Sequence, residues 1–317
     1  MSSAKPLIET KGLKKYFSTG KGRLHAVDDV SLKIGAGETL GVVGESGCGK
    51  STLGRTVVRL LEATEGQVLF DGEDILSYNK KQMLQMRKNI QMIFQDPFTS
   101  LNPRLSVGEI ISDPMRVLKT VSGKAAIRER ALELMDMCGL PERYYNTYPH
   151  ELDGGRRQRV GLARALALGP RFIVCDEPVS ALDVSIQAQI INLLMDLQES
   201  QGLSYMFITH DLCVVRHISD YIAVMYLGQV VEYASRRELF AQQFHPYTQA
   251  LLAAIPTPDL SRRGRERSLL RGEVGNPIDP SPKCRFASRC KYASAECEAA
   301  QELREIEPGH FARCHRA

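Results

Sequence analysis

Hydrophobic and polar positions change period several times along the chain. From Ala26 to Ile34 the run AVDDVSLKI alternates roughly every second residue, and GAGE then makes a turn. Thr39 to Val43 is a short apolar run that meets a glycine, the pattern of a buried strand. From Lys50 onward Leu53, Val57, Leu60 and Leu61 recur at helical spacing. A further strand is predicted around Gln91, and the segment from about Asp96 to Gly169 reads as mostly helical. Strand pattern returns at Phe172 to Cys175, a helix near Ile186 to Glu199, and a strand at Tyr205 to Thr209. This order predicts a mostly parallel sheet with a helical insertion. Past Pro256, SRRGRERSLLRGEVGNPIDPSPK is rich in Arg, Pro and Gly and reads as a linker. There is no internal repeat and no low-complexity tract.

Composition sharpens this picture in three respects. The 317 residues suffice for about two domains, or for one large α/β domain with an appendage. With 43% hydrophobic and 25% charged residues, the chain is neither disordered nor fibrous. The balance of 41 basic to 37 acidic residues, net +4, is too mild to indicate a nucleic-acid partner. No apolar stretch approaches the ~20 residues of a membrane span, and MSSAKPLIETKGLKKYF lacks a signal-peptide core. A cytoplasmic chain is expected, reaching a membrane only through a partner. Cys48, Cys138, Cys175 and Cys213 are scattered, whereas Cys284, Cys290, Cys297 and Cys314 crowd into the last 34 residues. In a reducing compartment such a cluster reads as metal ligands rather than disulfides.

The sharpest chemical signal is Gly44-Glu-Ser-Gly-Cys-Gly-Lys-Ser51-Thr52, which fits G-x-x-x-x-G-K-[ST] between a predicted strand and a predicted helix. Such a loop wraps phosphate with backbone N–H groups and the positive end of the helix. The expected nucleotide contacts are Gly44, Ser46, Gly47, Cys48, Gly49, Lys50, Ser51 and Thr52. Lys50 is assigned to the β- and γ-phosphates, and Ser51 to Mg²⁺. Downstream, Phe172-Ile-Val-Cys-Asp176-Glu177 is an apolar strand ending in two carboxylates. Asp176 is expected to hold Mg²⁺ through water and Glu177 to polarise the attacking water.

In this order the motifs resemble the ATPase subunits of ABC transporters, with a match from about residue 7 to 256. The resemblance implies an α/β fold: a RecA-like P-loop NTPase core, an antiparallel β subdomain, a helical subdomain at about 96–168, and a small four-cysteine metal-binding tail. The ATPase domain is placed at 1–257, and the linker and tail at 258–317. Tyr16 is similar to the aromatic that stacks on adenine in that family. Gln95 resembles the Q-loop glutamine, a Mg²⁺ ligand there, and Ser180-Ala-Leu-Asp183 the D-loop. His210 is similar to the switch histidine that contacts the γ-phosphate. Glu177, His210, Gln95 and Lys50 are thus the expected catalytic set.

One segment departs from the family. Where its members carry LSGGQ, this chain has Leu152-Asp153-Gly154-Gly155-Arg156. In the family that segment reaches across a head-to-tail dimer to the nucleotide on the other subunit's P-loop, so Asp153, Gly154 and Gly155 are expected to face a partner's ATP. Asp caps a helix as well as Ser does. Ionised, however, it donates no hydrogen bond to phosphate. At ~4 Å and an effective dielectric of ~20, its charge and a phosphate charge repel by roughly 4 kcal/mol, which Arg156 is placed to offset in part. The expectation is an asymmetric heterodimer whose main hydrolytic site is this chain's own; the alternative is that Asp153 is tolerated and both sites work.

Gln95-Asp-Pro-Phe-Thr-Ser-Leu-Asn-Pro103, His245-Pro-Tyr-Thr248 and the cysteine tail together resemble the ATPases of the dipeptide/oligopeptide/nickel importers. That implies a related ATPase partner, two membrane permease subunits, an extracytoplasmic binding protein, no nucleic acid, and a peripheral position on the cytoplasmic face of the membrane. Peptide is the expected cargo, with nickel or a metal chelate as the alternative; a mainly regulatory nucleotide-binding subunit is the other reading. The tail spacing, C-x5-C-x6-C-x16-C, is wider than that of zinc fingers. Four thiolates suit an iron–sulfur cluster or Zn²⁺, and the resemblance favours [4Fe–4S]. Arg285, Arg289 and Lys291 are expected either to offset thiolate charge or to be solvated.

Overall fold

The computed structural model describes residues 5–254, 272, 275 and 277–317. Most of the predicted linker lies outside the described residues. The chain divides into two compact units, one drawn from 1–33, 39–76 and 209–317, the other from 34–38 and 77–208.

In the first unit, β1 (Ile8–Thr19), β2 (Gly22–Ile34), β4 (Glu65–Phe70) and β5 (Glu73–Asp74) form a sheet in the order β2-β1-β4-β5. β1 and β4 run antiparallel, with Ile8 opposite Phe70. The alternation in β2 is only rough for a local reason. Asp29 adopts φ 56, so Val27 and Val30 both point inward while Leu32 and Ile34 resume the two-residue period.

β3 (Thr39–Val43) is buried at every residue and leads through the glycine-rich loop into α1 (Lys50–Val57). α1 stops short of the Leu60–Leu61 pair the spacing placed on it. Arg59 takes a left-handed φ of 53, and Leu60 is exposed. The unit resumes with α8 (Leu212–Ile218), β9 (Tyr221–Tyr226), β10 (Gln229–Ser235), α9 (Arg236–Ala241), α10 (Pro246–Ala253), β11 (Arg304–Glu307) and β12 (His310–Ala312). Its second sheet includes the order β11-β12-β10-β9-β3. β3 and β9 are parallel, Leu40 opposite Tyr221, and the cysteine tail enters through antiparallel β12, where Glu232 faces Ala312.

The second unit carries α2 (Lys80–Met86), β6 (Ile90–Ile93), α3 (Pro97–Ser100), α4 (Val107–Leu118), α5 (Lys124–Met137), α6 (Gly154–Leu166), β7 (Phe172–Asp176), α7 (Val184–Gln201) and β8 (Ser204–Thr209). β6, β7 and β8 are parallel, with Ile90 opposite Phe172 and Phe172 opposite Ser204. β7 and β8 are buried along their whole length, which explains why they read as continuous apolar runs rather than alternating ones. Between β6 and β7 the chain is helical. α4 opens with a capping box in which Ser106 and Glu109 satisfy each other's backbone N–H groups.

Candidate nucleotide and thiolate sites

The first unit holds the phosphate loop. Gly49 sits at the N-cap of α1 with φ 106, and a Cβ there would lie 2.0 Å from the Ala26 carbonyl oxygen. At Gly44 (φ 155) a Cβ would meet the Met225 carbonyl oxygen at 2.2 Å. Both positions demand glycine because the loop is pressed onto β2 and β9. Behind it, Gly228 N–H donates to the Cys48 carbonyl at 2.8 Å, and Asp28 N–H donates to the Gly228 carbonyl at 2.8 Å. Lys50 is buried, and its ammonium donates to the carbonyls of Gly44 at 2.8 Å and Glu45 at 3.0 Å. The cation is thereby folded over the loop. Ser51 and Thr52 occupy the first turn of α1, while Ser46 and Gly47 are exposed at the loop tip. Burial pushes the Cys48 thiol up, so this cysteine is a packed, protonated side chain.

Tyr16 lies on β1. Its ring stacks on His25 with centroids 3.9 Å apart, Arg23 lies over the ring at 5.3 Å, and its hydroxyl donates to the Asp28 carboxylate. Burial and that hydrogen bond raise the phenol's pKa. Burial also works against ionising Asp28, but the Tyr16 hydroxyl, the Arg285 guanidinium and His25 outweigh it and hold the carboxyl below its usual range. Exposed His210 follows β8, and Asp211 beside it caps α8 by accepting from Cys213 N–H at 2.7 Å.

The second unit holds the carboxylates. Asp176 ends β7 and is fully buried; Glu177 follows in a left-handed conformation, φ 46. Glu177 N–H donates to the Ile208 carbonyl at 2.9 Å, which ties the turn to β8. Gln95 Nε2 donates to Glu177 Oε2 at 2.9 Å. Asp153 is the N-cap of α6, accepting from Arg156 N–H at 2.8 Å, and its carboxylate also pairs with the Arg156 guanidinium. A Cβ on Gly155 would stand 2.8 Å from Ile186 Cγ2, and one on Gly154 3.1 Å from Leu182 Cδ2. The segment 153–155 therefore packs against the start of α7 and the turn before it.

The four tail cysteines gather in the first unit. Cys297 and Cys314 are buried, Cys284 and Cys290 half-buried against the core, and Cys284 N–H donates to the Cys297 carbonyl at 3.0 Å. Burial, reinforced by the other three thiols, pushes the Cys284 thiol up to about 11. Ionising two buried and two half-buried thiols together would call for a compensating positive centre. By residue type alone the four cysteines suit a four-thiolate group. Among the described residues, however, no three His, Cys, Asp or Glu side chains are arranged to hold a metal ion.

Two tail arginines are not solvated but pair with carboxylates. The Arg285 side chain, 8% exposed, pairs with Asp28 and donates to the Leu227 carbonyl. The Arg289 side chain, 5% exposed, forks onto Glu45 of the phosphate loop at 2.6 and 3.0 Å. Lys291 lies over the Tyr292 ring at 4.8 Å. Sequence reasoning also missed the roles of two residues of the surrounding core. Tyr247, from the His245–Thr248 segment, accepts from Glu45 N–H at 2.9 Å. Glu232, fully buried on β10, accepts from the N–H groups of Phe244 at 2.8 Å and His245 at 3.0 Å, and from His310 Nε2 at 2.8 Å. The only sequence signal for Glu232 was a lone acid inside an otherwise apolar strand.

Known proteins resemble this chain in sequence and fold. Residues 27–180 match the family model described as ABC transporter, and residues 231–297 match the one for the oligopeptide/dipeptide transporter C-terminal region. The Bacillus subtilis oligopeptide transport ATP-binding protein AppF is 49% identical over 321 residues, covering 98% of this chain and 97% of its own. OppF of the same organism is 48% identical over 312 residues, with coverage of 98% and 97%. Among solved structures, a post-hydrolysis dimer of the ATP-binding cassette MJ0796 with ADP and Pi superposes with TM-score 0.68 at 32% identity. It covers 73% of this chain and 99% of that one.

Proposed function

The chain belongs to the ABC transporter ATPases, in the group with the oligopeptide/dipeptide C-terminal region, and we propose that it hydrolyses ATP to power import of peptides across a membrane. The observation that carries the reading is the hydrogen bond from Gln95 to Glu177. It orients the carboxylate that follows β7, in a chain that also carries a phosphate loop over which Lys50 folds. In this proposal the loop N–H groups and Lys50 bind the triphosphate, Tyr16 supports the base, Glu177 accepts a proton from the attacking water, and His210 contacts the γ-phosphate. Ser51, Gln95 and Asp176 are oxygen donors of the hard kind Mg²⁺ prefers, and the metal would neutralise phosphate charge.

The signature supports a paired partner that differs from this chain. Asp153 with Arg156, rather than a serine hydroxyl, would face the partner's nucleotide across a dimer, leaving this chain's own site as the faster one. A related ATPase, two permease subunits and an extracytoplasmic binding protein complete the proposed importer. No helix among the described residues is long and apolar enough to cross a membrane, so attachment would run through the permeases. Cys284, Cys290, Cys297 and Cys314 would hold a [4Fe–4S] cluster, or Zn²⁺. Either group would supply positive charge that stabilises the thiolates and fastens the tail.

The test is ATP turnover by the complete importer in vesicles, with peptide and binding protein added. Peptide-stimulated turnover that disappears with Glu177→Gln supports the reading. Stimulation by nickel or a chelate, with none by peptides, would replace the cargo assignment.

A further inference from the structure

The four-cysteine tail reaches the phosphate loop through one ion pair. Arg289 sits on the short 3₁₀ turn Ala287–Arg289, between Cys284 and Cys290. Its two terminal nitrogens engage both oxygens of Glu45, at 2.6 and 3.0 Å, across 244 residues of sequence. With side chains 5% and 26% exposed, the pair is partly buried, unlike the fully exposed pairs that contribute little. Glu45 is the second residue of the loop, and its backbone is as engaged as its side chain. The N–H donates to Tyr247 Oη at 2.9 Å, and the carbonyl accepts from Lys50 Nζ at 3.0 Å and from Cys48 N–H at 3.3 Å. Arg289 also lies over the Tyr226 ring, centroid 5.8 Å away, and Tyr226 packs against Tyr247 at 4.7 Å. Both residues holding Glu45 therefore rest on one aromatic cluster.

We infer that Arg289 is a positioning residue for nucleotide binding, through which the cysteine tail sets the phosphate loop. Two physical effects follow from the geometry. A bidentate guanidinium–carboxylate fork fixes the direction of the Glu45 side chain as well as its distance, so the loop backbone at Glu45 is held from both ends. The same fork neutralises a carboxylate that otherwise stands unpaired beside the place where a polyphosphate binds. Without Arg289, Glu45 keeps its negative charge in the loop and the loop loses its brace. The inference rests on the nucleotide reading of the phosphate loop and adds to it a control from the far end of the chain.

The test is ATP binding to the full-length chain with Mg²⁺, read by displacement of trinitrophenyl-ATP, together with KM and kcat of the assembled transporter. Arg289→Gln is expected to raise Kd and KM for ATP about tenfold, with kcat within twofold of wild type. Arg289→Lys, which keeps the charge but not the fork, is expected to give about threefold and serves if the Gln form folds poorly. Arg289→Gln with Glu45→Gln removes both charges and is expected to return to within about threefold of wild type, less than the single Arg289→Gln loss. An unchanged Kd in both Arg289 variants, or losses that multiply in the double variant, would overturn the inference while wild-type binding leaves the nucleotide reading intact. Absence of ATP binding by wild type would overturn both.

Discussion

Gln95 and Glu177, 82 residues apart, meet at 2.9 Å through a single hydrogen bond from amide nitrogen to carboxylate oxygen. Glu177 is held there in a left-handed backbone, φ 46, that a non-glycine residue adopts at some cost. Its N–H is fastened to Ile208, so the strain is offset by the parallel strand next door. Glu177→Gln is expected to lower turnover of the complete importer by about 10²–10⁴-fold, the usual contribution of a positioned general base, while ATP binding persists. Gln95→Ala is expected to lower turnover less, because the carboxylate stays and only its orientation is loosened. Steady-state ATPase assays with parallel binding measurements decide both.

The Asp153 cap predicts unequal sites. Asp153→Ser keeps a capping oxygen, so α6 is expected to lose well under 1 kcal/mol, yet it restores a hydroxyl donor where the partner's phosphate would lie. Turnover of the complex is expected to rise severalfold. Glu177→Gln in this chain is expected to cost far more activity than the equivalent change in the partner ATPase. Equal losses in single-turnover experiments on the two forms would end the asymmetric reading.

His245 predicts an acid limit to stability. Burial holds its imidazole down to about 4, against an ordinary 6.5, even though the Glu232 carboxylate pulls it upward and Arg313 pushes it further down. The unfolded chain therefore binds more protons than the folded one between those values. Stability is undiminished above pH 6.5, falls as pH drops through the window, and has lost about 3 kcal/mol by pH 4 from this group alone. His245→Asn replaces the Nδ1 acceptor for Tyr247 N–H with an amide oxygen and is expected to flatten the dependence of unfolding free energy between pH 6.5 and 4.

Glu232 predicts a large structural penalty. Its buried carboxylate satisfies two backbone N–H groups and His310, so Glu232→Ala leaves three buried donors without their acceptor. A loss of about 3–5 kcal/mol is expected, visible as a fall in the unfolding midpoint of roughly 10 °C, with Glu232→Gln milder because one oxygen remains.

The tail thiols predict a metal count. Chain purified without oxygen is expected to be brown, with about four iron and four sulfide per molecule. Cys297→Ser is expected to abolish the colour and lower stability together. A colourless chain with one zinc would make the tail a zinc module and leave the ATPase reading untouched.

Local chemistry was legible in order along the chain. A phosphate loop needs its glycines, lysine and hydroxyl in contiguous positions, and a carboxylate pair after a buried strand is likewise a short-range pattern, so both could be read without coordinates. The continuous apolar runs of β7 and β8 were readable for the same reason: both faces are buried, and every residue says so. The tail strands were missed, and β1 and β4 were expected only as unplaced members of an antiparallel β subdomain, because their partners are distant. β1 pairs with β4, and β12 with β10, and half-exposed strands of mixed composition carry little signal alone.

The tertiary structure decided which charges meet. Arg285 and Arg289 were visible only as basic residues among cysteines, for which solvation is the ordinary expectation. Folding carried them 257 and 244 residues back along the chain, to Asp28 and to Glu45 of the phosphate loop. The sequence by itself determined the identity of the nucleotide loop, the carboxylates and the four thiols, because each is a local arrangement of residue types. That the tail braces the loop through Arg289 follows only from the fold, because an ion pair depends on where two side chains end in space and leaves no periodicity behind.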